Sequence, residues 1–121
     1  MTRTGYTPTD YDTAAHVLEG GRDKSERTIA NNTKLVRRGH DIAVRLHRTD
    51  VVTFHQDGTV TFDTGGWHTA TTRDRLNTYA PGGIRFSIQK RELMVILNRD
   101  FDSPVPFKDG MRYDPRRGRL V

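Results

Sequence analysis

From Ile42 to Phe62, three consecutive stretches place an apolar residue at every second position, and this alternation constrains the fold more than any other feature. Ile42, Val44 and Leu46 alternate with Ala43, Arg45 and His47. Val52 and Phe54 alternate with Thr53 and His55, and Val60 and Phe62 with Thr61 and Asp63. A period of two puts successive side chains on opposite faces of a strand, so these are strands with one buried face. Pairing must keep the apolar residues together, because a one-residue slip would turn all of them to water. A three-residue loop, Gln56-Asp57-Gly58, sets Phe54 opposite Val60 and Val52 opposite Phe62, with the glycine in the left-handed region. The same logic makes Arg48-Thr49-Asp50 a tight loop, with Leu46 opposite Val52, Val44 opposite Phe54 and His47 opposite Val51. An upstream strand, TKLVRR, joins through RGHD, giving an antiparallel meander of three or four strands.

Other stretches supply the cover for that apolar face. TPTDYDTAAHVLEGG predicts a short helix capped by Thr9 or Asp10, with Ala14, Ala15 and Leu18 inward and Gly20-Gly21 as a left-handed stop. Residues 22–32 are polar and predict a linker or the lead-in to a strand. Gly65-Gly66 release the chain after Asp63, and Trp67 is expected to pack down over the end of the sheet. Thr71 and Asp74 have capping-box spacing, so a second helix is expected over 72–79, with Leu76 and Tyr79 on its inner face. IRFSIQ and ELMVIL flank Lys90-Arg91 and predict a hairpin pairing Ile84 with Leu97, Phe86 with Val95 and Ile88 with Leu93. After Asn98 the chain reads as loop, with Pro104 and Pro106 limiting strand pairing.

The fold expected is therefore α+β and mostly antiparallel β: a meander plus a C-terminal hairpin with two short helices. Residues 1–8 read as a flexible arm, 9–115 as one compact domain and 116–121 as a basic, mobile tail. A chain of 121 residues fits one domain, and its hydrophobic fraction of 33% implies a modest core. The absence of cysteine excludes disulfides and thiolate metal sites. No apolar run has the length of a signal peptide or a membrane span, so no membrane association is expected.

The net charge is +5, and Arg supplies most of the basic residues. Guanidinium groups suit phosphate, and a basic balance favours DNA, RNA or an acidic protein surface as partner. Arg45, His47, Thr53, His55, Thr59 and Thr61 fall on the polar side of the meander, with Arg37, Arg38 and Arg48 at nearby turns. No acid lies on that face before Asp63, so it is a candidate phosphate track; the competing reading is an ordinary solvated sheet face. Trp67 with Arg73 and Arg75 forms a second candidate, an indole beside arginines at a helix start; its competitor is a buried core anchor. The candidate nucleic-acid-binding residues are thus Arg37, Arg38, Arg45, His47, Arg48, Trp67, Arg73 and Arg75.

Catalysis is not expected. Ser25, Ser87 and Ser103 lack a nucleophile context, Asp100 and Asp102 read as turn residues, and no glycine-rich phosphate loop is present. His40, His47, His55 and His68 lack ligand spacing, so no metal and no cofactor is expected.

Residues 31–77 carry the combination NNT, VRLHRTDVVTF, DGTV and GGWHTATTRDRLN. This resembles small proteins encoded by tailed bacteriophages and prophages, particularly those of actinobacteria. The resemblance implies a phage product acting in the bacterial host cytoplasm or carried in the virion, and it transfers no site residue. Two roles follow as expectations: a small basic accessory protein that binds nucleic acid or modulates the host, or an interaction and assembly module pairing through a sheet edge or Trp67 with a host or phage protein.

Overall fold

The computed structural model describes residues 7–121. In chain order the elements are α1 (Tyr11–Glu19), β1 (Glu26–Ala30), β2 (Thr33–Arg38), β3 (Asp41–Leu46), β4 (Thr49–Phe54), β5 (Val60–Phe62), α2 (Ala70–Tyr79), β6 (Ile84–Gln89), β7 (Glu92–Leu97), β8 (Val105–Pro106), β9 (Met111–Asp114) and β10 (Arg119–Leu120). Seven strands form one antiparallel sheet in the order β1-β2-β3-β4-β5-β9-β10, and β6-β7-β8 form a second. The protein is α+β and mostly antiparallel β, as the alternation demands.

The inner residues of the meander are buried: Ile42, Val44, Val52, Phe54, Val60 and Phe62 join one core with Ala14, Leu18, Leu76, Ile84, Phe86 and Val95. Phe54 pairs with Val60 and Val52 with Phe62, so the Gln56-Asp57-Gly58 loop has the expected register, with Gly58 at φ +97. The second hairpin pairs Ile84 with Leu97, Phe86 with Val95 and Ile88 with Leu93 as expected. Its Lys90-Arg91 turn holds both residues left-handed, at φ +51 and +67. The two sheets meet ring to ring, Phe62 to Phe86 at 4.9 Å, and Phe107, just after β8, packs on Phe86 at 5.9 Å.

Several expectations are corrected. The β3–β4 turn is His47-Arg48, since Leu46 pairs with Thr49 and Val44 with Val52. A bulge inserts Val51 between Asp50 and Val52, so β4 shifts from the expected pairing by three residues next to the turn and by two beyond the bulge, where Val52 and Phe54 keep their face. Val51 and Val52 are both buried, on either side of this irregularity. The polar stretch 22–32 contains β1, a full partner of β2. Gly20 ends α1 in a right-handed conformation, φ −79, so its role is close approach rather than a left-handed cap. A Cβ there would lie 3.1 Å from the Arg27 guanidinium, whose Nη1 donates to the Val17 carbonyl. α2 begins two residues earlier than expected, capped by Thr69 instead of the Thr71–Asp74 box.

The chain beyond Asn98 holds β8, β9 and β10 in place of a loop. β9 extends the large sheet by pairing Tyr113 with Val60. β10 pairs with β9, and the Val121 N–H donates to the Arg112 carbonyl, so the end of the chain is fastened to the sheet and does not trail as a free tail. The expected N-terminal arm lies largely outside the described residues. No described helix is long and apolar enough to cross a membrane.

Candidate functional site

The His47-Arg48 turn is bordered by several clefts. His47 is left-handed at φ +56, and its N–H donates to the Asn32 carbonyl at 3.0 Å, which ties this turn to the β1–β2 turn. A cleft of about 540 Å³ lies between this turn and the segment 64–72. Leu46 and Val51, both buried, contribute apolar surface to it. His47, Arg48 and Thr49 line it from the turn, and Trp67, Thr69 and Thr71 from the start of α2. Three shallower clefts touch the same turn: one holds Arg38, Arg48 and Thr61, a second Lys34, Arg45 and His47, and a third His47, Thr71 and Arg75.

The Gly65-Gly66 loop that carries Trp67 is held on several sides. Asp63 accepts from the Gly65 N–H at 2.7 Å. One Asp109 carboxylate oxygen accepts from both the N–H and the hydroxyl of Thr64, at 2.7 and 2.8 Å. The Trp67 N–H donates to the Thr64 carbonyl, and Gly65 and Gly66 are left-handed at φ +62 and +88. These bonds swing the chain off the end of β5, and Trp67 comes out 67% exposed. The expectation that it packs over the sheet is therefore wrong; Thr72, Leu76 and Tyr79 supply the buried face of α2 instead.

Of the eight candidate residues, Arg38, Arg45, His47, Arg48, Trp67 and Arg75 line clefts around the turn. Arg37 and Arg73 line none of these clefts. Arg37 pairs with Ile42, two residues on from Leu35, so it lies at the rim of the core face while Arg38 lies on the other. The cations differ in freedom. Arg38 is engaged by Asp50 through two bonds at 2.9 and 3.1 Å, and this raises its pKa further. Arg75 binds Asp74 and also donates to the Thr33 hydroxyl and the Asn31 carbonyl. Lys34 pairs with Glu26. Arg45 and Arg48 make no ion pair with any described residue.

The polar face is not free of acids before Asp63, because cross-strand pairing brings Glu26, Asp41 and Asp50 onto or beside it. His55, expected to be a plain solvated residue, lies between Asp41 Oδ2 at 2.9 Å and the Thr61 hydroxyl at 2.6 Å. An ionised carboxylate only accepts, so a neutral ring donates from Nδ1 to Asp41 and accepts at Nε2 from Thr61. Thr61 sits mid-strand between Thr53 and Arg112. The network therefore joins β3, the end of β4 and β5. Asp109 and this network escaped the sequence, because each depends on partners brought together by strand register or by chain return.

Burial would raise the Asp41 pKa, but bonds from His55 and the Gln56 N–H outweigh it and hold the carboxyl below its ordinary value. A carboxyl depressed by folding adds stability that is fully present above its unfolded pKa and is lost as pH falls through the lower folded value. Asp41→Asn is accordingly expected to cost about 1 kcal/mol at neutral pH and to flatten the stability profile below about pH 4. Urea unfolding across an acid pH series checks this; a mutant curve parallel to wild type throughout would refute it.

The geometry defines a class: a small antiparallel α+β domain whose clefts surround one hairpin turn. Residues 11–114 match the model of the Kyanoviridae Gp96 protein, and the chain belongs to that family. It is thus a bacteriophage protein of a cyanophage family, and the narrower likeness to actinobacterial phages is not what the match supports. No curated protein and no solved structure matches the chain.

Proposed function

We propose that the protein is a small accessory protein of the phage that binds single-stranded nucleic acid, DNA or RNA, along the grooves around the His47-Arg48 turn, without catalysis and within the host cytoplasm. One observation carries this reading: Arg45 and Arg48, free of ion pairs among the described residues, flank the same turn as the exposed Trp67. Guanidinium groups take phosphate, and an exposed aromatic ring takes an unpaired base. The net charge of +5 supplies long-range attraction. Host modulation, on this reading, is the same surface acting on host nucleic acid.

Polarisation titration of a labelled oligonucleotide across a salt series tests the proposal. Weak binding is expected, with affinity falling steeply as salt rises, at about 0.7 log units per tenfold salt for each phosphate neutralised. The Arg45→Ala/Arg48→Ala pair is expected to weaken binding about tenfold or more and to make the slope shallower. Absence of binding at low salt would overturn the reading.

A second reading, pairing with another protein along a sheet edge, has β1 in its favour, since β1 ends the large sheet with one edge unpaired among the described residues. A bulge between Thr28 and Ala30 and the charges of Glu26 and Arg27 interrupt that edge in the way natural sheets block pairing, so this reading ranks second.

A further inference from the structure

We infer that the cleft between the His47-Arg48 turn and Trp67 is a receptacle for a single nucleotide, with the base laid against the indole and the phosphate held by Arg48. This rests on the nucleic-acid reading and narrows it from a charged groove to one built site. The cleft measures about 540 Å³, within the range of small-molecule sites. Leu46 and Val51 give it apolar surface, and the exposed indole offers a flat face to a planar ring. None of its lining residues is acidic, while the Arg48 guanidinium stands on the turn side, so its charge suits an anion. The hydroxyls of Thr49 and Thr71 provide donors and acceptors for ring and sugar edges, whereas those of Thr64 and Thr69 are committed to Asp109 and to the start of α2. A purely electrostatic track needs no such enclosure. Because a stacked base must be unpaired, the site selects single strands over duplex.

Trp67 is the only tryptophan, so its fluorescence reports on this cleft alone. The full chain is titrated separately with thymidine monophosphate, thymidine, inorganic phosphate and an oligothymidylate. Thymidine monophosphate and the oligomer are expected to change Trp67 emission saturably, and thymidine and phosphate to bind about tenfold or more weakly than the nucleotide. By calorimetry, Arg48→Ala and Trp67→Ala are each expected to weaken nucleotide binding about tenfold, with Trp67→Phe restoring part of the loss. Both side chains are exposed, and circular dichroism verifies that the variants fold. Phosphate binding as tightly as the nucleotide would overturn the assignment, since the site would then be for anions alone. Salt-dependent oligomer binding with unchanged Trp67 emission and no effect of Trp67→Ala would also overturn it, while leaving the groove reading intact. Saturable nucleotide binding without oligomer binding would keep the receptacle and remove the groove.

Discussion

Phe62→Ala is expected to lower the unfolding free energy by about 3–5 kcal/mol, which for a domain of this size is a fall in Tm of roughly 10–20 °C. Phe62 is fully buried in β5, where the Val52 and Met111 partners fix its backbone on both sides. Its ring meets Phe86 of the smaller sheet edge-on, at 4.9 Å and 61°. Truncation therefore empties the junction between the two sheets, and neighbours anchored in strands cannot close over the void. Urea unfolding followed by circular dichroism checks the effect; tryptophan emission is a poor probe of the core because Trp67 is already exposed. The slope of the transition should be unchanged, since unfolding exposes nearly the same surface in the variant as in wild type. Phe101→Ala, at a ring 64% exposed, is the control and should stay within about 0.5 kcal/mol of wild type. A Phe62→Ala loss no larger than the control's would mean that the two sheets do not share one core.

Phe62 also shows where the sequence was legible and where it stopped. Its partner across β4 followed from alternation and the glycine of the Gln56-Asp57-Gly58 loop, both local signals. Its partner across β9 did not, because Met111 lies far along the chain and the strand that carries it is four residues long. β1 was missed for a different reason: ERTIA is an edge strand with no fully buried residue, so it leaves no apolar period to read. The Val51 bulge had a signal, two adjacent valines that break the alternation, but its cost in register shows only when both strands are placed. The site divides in the same way. Arg45, His47, Arg48 and Trp67 were recognisable as chemistry. Their gathering depended on a two-residue turn and on two left-handed glycines, and the pairing of Arg38 with Asp50 depended on β2 and β4 flanking β3.

Gly65→Ala should cost about 1–3 kcal/mol from its backbone alone and weaken ligand binding beyond what lost stability explains. At φ +62 a side chain is strained, and a Cβ there would come within 2.5 Å of the Thr49 hydroxyl and 3.0 Å of its methyl. Thr49 is stiff at χ1, being β-branched, and it opens β4 directly after the turn. Either Thr49 or the Trp67 loop must move, and both line the same cleft. Gly66→Ala separates strain from contact: its φ is +88, yet nothing lies within 4 Å of the added Cβ, so it should carry the backbone cost alone. Thr49→Ala in the Gly65→Ala background removes the two closest atoms and leaves only Cβ, at 3.3 Å. The double variant should recover about 1 kcal/mol or more of stability relative to the sum of the single changes. Equal losses at positions 65 and 66, with no coupling to Thr49, would show that strain in the glycines, and not their seat against the β3–β4 turn, sets the shape of the cleft.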